Sequence, residues 1–410
     1  MKKKGWKILL VAGEASGDFL GAELLRELRR GYPDCQFMGV GGEGMRAEGV
    51  DGPYNINHLS VIGLVEIVRR LPDLYRVFQY LLGLMDRQRP DLLVTIDLPD
   101  FNFILAKRAQ ARNIPVLHYV SPQVWAWRRG RAKHLEKFID HLLVLFPFEK
   151  EIYANTRLPV TFVGHPLVHR ALPWSMRAEG AGGGERVRRG LGIGRDDKWV
   201  VILPGSRHSE VSRLFAPMIR ACFLLKKRMP SVCFAVACAP TLSEGELLRH
   251  WPQDVGMDFR QEVPIRVGAT YDLVASADAA LVTSGTATLE TALMGIPQVV
   301  CYRVNRLTYE IGKWLVRIPF FSLVNLVAGK EVVRERLQDE ANPETLCADL
   351  MDLLYDEQVR KKMESEYRVV REQLTQSAAR PFAVVEAMLE KGSETKGVSD
   401  KLNYISAGEL

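Results

Sequence analysis

No stretch of this 410-residue chain is apolar for long enough to cross a bilayer. The longest runs without a formal charge, such as Ile114 to Trp127, contain Pro, His and Gln and fall short of the ~20 residues a spanning helix needs. The opening MKKKGWKILLVAGEASGD starts with the lysines of a secretory leader. Its apolar run is only about six residues, against the ~7–15 of such leaders, and no small-residue cleavage site follows. A cytoplasmic protein is expected.

Cysteine is sparse. Cys35, Cys222, Cys233, Cys238, Cys301 and Cys347 lie scattered in apolar contexts without a C-x-x-C, so reduced core thiols are expected rather than a disulfide or zinc framework. A strong charge imbalance is missing too. Lys and Arg total 55 against 49 Asp and Glu, and the resulting +6 is too mild to imply nucleic acid, while it suits an anionic substrate or an anionic membrane surface. D-x-D is absent, so no metal site and no cofactor are expected. G-x-x-x-x-G-K-[ST] is absent as well.

What the chain does have is β-α-β alternation, twice over. KILLVA (7–12), CQFMGV (35–40), DLLVTI (91–96), IPVLHYV (114–120), HLLVLF (141–146) and VTFVGHP (160–166) read as strands separated by amphipathic helices. The alternation restarts with WVVILP (199–204), VCFAVACAP (232–240), FRQEV, ASADAALVTS (275–284) and PQVVCYRV (297–304), and closes with helices near 344–355 and 357–390. The expected fold is α/β with two Rossmann-like domains facing a cleft. Residues 1–170 would form the first domain and 198–360 the second. The Gly-rich, charged segment 171–197 reads as a linker or mobile loop, 361–390 as a helix packing back on the first domain, and 391–410 as a polar tail.

Two segments are greasier than a soluble enzyme needs. Residues 60–91 are apolar around more than one helical face and studded with arginines. Residues 306–329 mix Lys313, Trp314, Arg317, Phe320 and Phe321. Each reads either as a helix buried against the sheet or as an element resting on lipid headgroups.

In open α/β sheets chemistry sits in loops at the carboxyl ends of strands. Glu14 and Asp18 stand at the mouth of the loop after the first strand, where carboxylates suit hydroxyl groups better than phosphate; Asp18 also suits the first-turn dipole. GVGGEG (39–44) matches G-x-G-x-x-G but follows the second strand, and reads as a glycine loop facing the cleft. Pro204, Gly205, Ser206 and Arg207 end a strand, with Arg207 placed to fork onto phosphate. Ser284, Gly285 and Thr286 open a helix whose amides suit a pyrophosphate, and Glu290, one turn on, suits a ribose. In DLLVTIDLPDFN (91–102), Asp100 reads as a helix N-cap or a base, Asp97 as its electrostatic support, and Asp91 as mostly structural.

GEASGD (13–18), DLPDFN (97–102), SPQVWAWR (121–128), VGHPL (163–167), LPGSR (203–207), SGTATLE (284–290) and NLVAG (325–329), in this order, resemble the bacterial lipid-A-disaccharide synthases. The resemblance covers nearly the whole chain and implies a GT-B glycosyltransferase. Such an enzyme transfers 2,3-diacylglucosamine, with inversion and without metal, from its UDP conjugate to 2,3-diacylglucosamine 1-phosphate (lipid X), giving a β-1′,6-linked disaccharide 1-phosphate and UDP. It further implies Asp100 as general base, Glu14 as orienting group, Arg207 and Ser284 to Thr286 on the diphosphate, Glu290 on the ribose, and Asp91, Asn325 and Gln338 as further cleft positions. The implied setting is the inner-membrane surface of a Gram-negative-type bacterium, with a homodimer plausible and no nucleic-acid partner. The competing readings are another GT-B enzyme acting on a UDP-sugar, and a non-catalytic, nucleotide-regulated protein of the membrane surface.

Overall fold

Both halves of the chain build a six-stranded, all-parallel sheet from short strands buried on both faces. The computed structural model describes residues 5–59, 64–122, 132–179, 183–194, 196–306, 309–310, 319–375 and 378–391. They fall into two units. The first contains residues up to Gly164 and takes in the chain again after residue 377, and the second runs from His165 to Gln376.

In the first unit the strands are β1 (Lys7–Ala12), β2 (Gln36–Val40), β3 (Leu92–Ile96), β4 (Val116–Tyr119), β5 (His141–Val144) and β6 (Val160–Phe162), ordered β2-β1-β3-β4-β5-β6. Ile8 to Ala12 and Leu92 to Ile96 are wholly buried, as strands covered by helices on both faces must be. β1 pairs with β3 from Ile8↔Leu92 to Ala12↔Ile96. The chain therefore steps outward in one direction to β2 and in the other from β3. That reversal puts a topological switch point between the carboxyl ends of β1 and β3.

The second unit repeats the plan with β7 (Trp199–Leu203), β8 (Cys233–Cys238), β9 (Ile265–Val267), β10 (Ala279–Thr283), β11 (Gln298–Tyr302) and β12 (Arg334–Leu337), ordered β12-β11-β10-β7-β8-β9. Its switch point lies between β7 and β10, paired from Ala279↔Val200 to Val282↔Leu203.

Four expectations need correction. Residues 171–197 are not an unstructured linker. Helices Pro166–Glu179 and Gly183–Gly190 lie in this stretch, within the second unit. Polar anchoring does there what apolar packing could not: Arg188 donates to Asp278 Oδ2 at 3.1 Å, binds the Asp197 carbonyl and lies over the Trp199 ring. FRQEV falls on a short helix, Met257–Glu262, and the strand is Ile265–Val267. The segment 357–390 is not one helix. Helix Glu357–Thr375 ends within the second unit, and a separate helix, 381–391, starts at Pro381 in the first. Pro381 disfavours helical backbone at the residue before it, which explains the break. Finally, β12 was not anticipated. Its RERL reads as surface, but Arg334 and Arg336 both pair with the buried Asp349, at 2.8 and 2.6 Å.

The greasy segment contains one long helix, Leu64–Gln88, with Pro72 inside it. Val77, Leu81, Leu84 and Met85 enter the first unit's core, whereas Leu71 and Tyr75 are 53% and 63% exposed. Lys313, Trp314 and Arg317 lie outside the described residues, as do the side chains of residues 61–70. Among the described residues no helix is long and apolar enough to cross a membrane.

Candidate active site

Both switch points carry the loops singled out in the sequence. In the first unit these are GEASGD after β1 and DLPDFN after β3, and they interlock. A Cβ on Gly13 would lie 2.5 Å from Leu98 Cδ2 and 2.9 Å from Leu98 Cβ, so only glycine lets the two loops approach this closely. Leu98 presents its side chain there because Asp97 and Leu98 both take left-handed backbone, with φ 53° and 46°. Each such residue costs roughly 1–2 kcal/mol. The fully buried Asn102 compensates: its Nδ2 donates to the Asp97 carbonyl at 2.7 Å and to the Ile96 carbonyl at 3.4 Å.

Asp100 sits in the first turn of helix Pro99–Gln110 and is solvent-exposed. It is not the N-cap, a position held by Leu98. The exposed acid at the carboxyl end of a central strand is thus Asp100, whereas Asp97 turns inward and its Oδ1 accepts the Leu98 amide at 2.9 Å. Burial pushes the Asp97 carboxyl above its usual range, opposed only by that hydrogen bond. The shift has a source other than the mutual repulsion of Asp97 and Asp100 expected from the sequence.

Glu14 is exposed at the start of helix Ala15–Gly31. Asp18 has a different part. Its Oδ1 accepts the amides of Gly42 and Met45 at 2.7 and 2.9 Å, and its Oδ2 that of Gly44 at 2.9 Å. Asp18 therefore holds the glycine loop, whose glycines serve packing: a Cβ on Gly42 would lie 2.6 Å from Asp18 Oδ2, and one on Gly39 would overlap the Leu10 carbonyl. Asp91 stands at the other end of β3, roughly 20 Å along the strand from Asp97 at ~3.3 Å per residue. There its Oδ2 accepts the Lys7 amide at 3.0 Å, a structural pairing away from the functional loops.

In the second unit the loop after β7 is shaped by Gly205, at φ 112°, where a Cβ would lie 2.5 Å from Glu210 Oε2. Glu210 Oε2 accepts the amides of Ser206 and Arg207 at 2.9 and 3.2 Å. The Arg207 side chain is 80% exposed, 3.5 Å from Glu210, and available to an anion. Across the switch point Ser284, Gly285 and Thr286 lead into helix Thr286–Leu293, whose first amides lack intrahelical acceptors. Gly285 and Thr286 are exposed. Ser284 Oγ, however, donates to the Phe321 carbonyl at 2.9 Å.

Glu290 faces Tyr271, whose hydroxyl donates to Glu290 Oε1 at 2.6 Å. Burial and the adjacent carboxylate push the Tyr271 phenol well above its usual range. Asn325 is fully buried and fully used. Its Nδ2 donates to the Val333 carbonyl and Glu335 Oε1, and its Oδ1 accepts the amides of Val332 and Val333, all within 2.9 Å. It shapes a loop and does not present a group to a ligand. Gln338 follows β12 at φ 51°, with its carbonyl held by Arg303, its Oε1 accepting the Val304 amide at 3.2 Å, and its buried Nε2 without a partner among the described residues.

Sequence reasoning missed Tyr271 and Glu335, because each acts through a partner ten or more residues away, and Asn102, because its partners are backbone carbonyls of the turn before it. It also missed a buried group after β4 and β5. Glu149 Oε2 accepts the amides of Leu145 and Phe146 at 3.1 and 3.0 Å, and Ser121 hydrogen-bonds Tyr153 at 2.9 Å beside it. Burial raises the Glu149 carboxyl to about 7. Among the described residues no group of three or more His, Cys, Asp and Glu is arranged to hold a metal ion.

Comparison with known proteins agrees with this layout. Solved structures with the same fold include UDP-GlcNAc 2-epimerase from Neisseria meningitidis bound to UDP-GlcNAc (TM-score 0.60, 13% identity, 94% of this chain and 100% of that one). Acinetobacter baumannii MurG is another (TM-score 0.55, 12% identity, 94% and 99%). Lipid-A-disaccharide synthase of Geobacter metallireducens is 39% identical over 368 residues, 90% of this chain and 93% of its own. That of Syntrophus aciditrophicus is 40% identical over 382 residues, 93% and 97%. The model of the lipid-A-disaccharide synthetase family matches residues 8–387. With two Rossmann-like units of GT-B type and its candidate loops at both switch points, the chain belongs to the lipid-A-disaccharide synthetase family.

Proposed function

We propose that the chain transfers 2,3-diacylglucosamine from UDP-2,3-diacylglucosamine to the 6-hydroxyl of 2,3-diacylglucosamine 1-phosphate. The family match over residues 8–387 carries this reading. The acceptor oxygen attacks the anomeric carbon of the donor, its proton passes to the Asp100 carboxylate, and the bond to the β-phosphate breaks with its electron pair leaving on UDP. Attack opposite the leaving group gives the inverted, β-1′,6-linked product. A positioned base contributes about 10²–10⁴ in rate. Exposed Asp100 is suited to that task, and inward-turned Asp97 to fixing the turn that presents it. Glu14, exposed on the neighbouring loop, is assigned to the acceptor.

Charge on the departing diphosphate is assigned to Arg207 and to the amides opening helix Thr286–Leu293, which suit an anion through their orientation and the helix dipole. Gly205 and Ser206 shape that approach, Glu290 takes the ribose, and the Gln338 amide is assigned to the sugar. The substrates' acyl chains call for a lipid surface, and the exposed Leu71 and Tyr75 on helix Leu64–Gln88 are our candidates for touching it.

Purified chain incubated with both diacylated substrates should release UDP and form the disaccharide 1-phosphate, read by mass spectrometry. Equal turnover of the deacylated sugars would favour another GT-B enzyme instead. UDP binding without turnover would favour a non-catalytic binding protein. Light scattering on the same sample reads whether the chain pairs as a homodimer.

A further inference from the structure

A carboxylate on an edge strand needs a reason to be there, and Glu335 on β12 has four. Its Oε2 accepts the Phe321 amide at 2.8 Å. Its Oε1 accepts the Ser322 amide at 2.8 Å, the Ser322 hydroxyl at 2.7 Å and Asn325 Nδ2 at 2.8 Å. Hydrogen bonds to an ionised acceptor are about twice as strong as neutral ones. Asn325 in turn fixes the chain just before β12 by accepting the amides of Val332 and Val333. The Phe321–Ser322 backbone is thus pinned at both of its amides by one side chain.

That backbone also reaches the turn after β10. The Phe321 carbonyl accepts Ser284 Oγ, while the Ser284 amide donates to the Cys301 carbonyl at 2.9 Å. Ser284 is therefore held on two sides, its amide by β11 and its side chain by the segment that Glu335 pins. A hydroxyl has a single proton. With that proton committed to Phe321, Ser284 cannot donate to a phosphate oxygen, which leaves anion contact in this turn to the amides beyond it and the Thr286 hydroxyl.

We propose that Glu335 is a positioning residue for the turn after β10: by fixing Phe321 it fixes Ser284, and so aligns the amides of Thr286 and Ala287 for a nucleoside diphosphate. The inference rests on the reading of that turn as the diphosphate site. Glu335→Gln is the diagnostic substitution. It keeps size and shape but replaces one acceptor oxygen with an amide donor, which would face either the Phe321 amide or the donors of Ser322 and Asn325.

The test compares UDP with uridine by calorimetry on the full chain, because only UDP engages the turn with phosphate. Glu335→Gln should weaken UDP about tenfold while uridine changes less than twofold. Ser284→Ala should act in the same direction, with the double variant no weaker than the worse single one. Equal weakening of both ligands, or unchanged UDP affinity, overturns the proposal. If Glu335→Gln does not fold, Ser284→Ala decides alone: a loss confined to UDP supports the proposal, and any other result overturns it. Unmutated protein that binds UDP no tighter than uridine overturns the diphosphate reading itself, a failure visible before any variant is made.

Discussion

Asn102 clamps Asp97: its side-chain amide donates to the Asp97 carbonyl at 2.7 Å, across the left-handed pair that ends β3. Losing the clamp releases a turn that is unfavourable residue by residue and displaces the acid three residues on. Asn102→Leu, branched alike at Cγ but bulkier and without the amide, should lower kcat about 10–100-fold with little change in KM. Asp100→Asn should lower it about 10²–10⁴-fold, the range for one general base. Steady-state rates with both diacylated substrates check the order. An Asp100→Asn variant with near-normal turnover would remove Asp100 from the base role.

Tyr271 should matter through Glu290. Its hydroxyl occupies Glu290 Oε1, which sets how the carboxylate faces outward. Tyr271→Phe should raise the Kd for UDP about 3–10-fold and that for 2′-deoxy-UDP by less, since the deoxy ligand keeps only the 3′-hydroxyl to donate to Glu290. Equal effects on the two nucleotides would argue against Glu290 as the ribose partner.

Glu149 gives the fold a pH dependence of defined sign. Its carboxyl titrates near 7 when buried, against 4.5 in the unfolded chain, so between these values the folded state holds a proton that the unfolded state releases. Its contribution to stability is complete below pH 4.5 and is lost as pH rises through 7. The change amounts to a few kcal/mol, because a tenfold difference in acid strength between the two states is worth ~1.4 kcal/mol. Glu149→Gln keeps an acceptor for the Leu145 and Phe146 amides and does not titrate. The stability of the unmutated protein relative to this variant should therefore fall between pH 5 and pH 8, measured by denaturant unfolding at each pH.

Leu71 and Tyr75 are large apolar residues on the exposed side of a helix whose later turns are buried. Leu71→Ser with Tyr75→Ser should reduce sedimentation with anionic vesicles at least threefold. Thermal unfolding should shift by less than about 2 °C, because exposed positions contribute little to stability. A large fall in the unfolding temperature would mean that both side chains pack in the folded protein.

Gly39→Ala should abolish folding of the first unit or destabilise it by more than about 3 kcal/mol. The new methyl would overlap a backbone carbonyl on β1, at a φ of 135° that side chains disfavour. Circular dichroism and soluble yield read this directly. Near-normal stability would show that β1 and β2 can separate.

Strands such as LLVTI and WVVIL were legible because parallel strands covered on both faces must be apolar throughout. Three of the four functional loops were legible as glycine-bearing turns after such strands, and DLPDFN, which has no glycine, by its acids. β12 was not, because its charges are stabilised by Asp349, Ser322 and Asn325, and no local pattern announces a partner some ten or more residues away. The same limit applied to Asp18, which reads as a first-turn acid complementing its own helix, whereas its carboxylate holds the amides of Gly42, Gly44 and Met45. Helix Gly183–Gly190 read as linker because its anchor, Arg188, works through Asp278 and Trp199 rather than through an apolar face.

The first unit needs the last part of the chain. Tyr32 hydrogen-bonds Glu386 and stacks on Phe382 at 6.1 Å, and the Ala379 amide donates to the Phe162 carbonyl at 3.0 Å. About 210 residues of the second unit are made between these two parts. At roughly 5–20 residues per second, the ribosome leaves the first unit waiting for ten seconds or more with its Tyr32 face uncovered. The unit that begins synthesis first is completed last, after the whole of the second unit has been made.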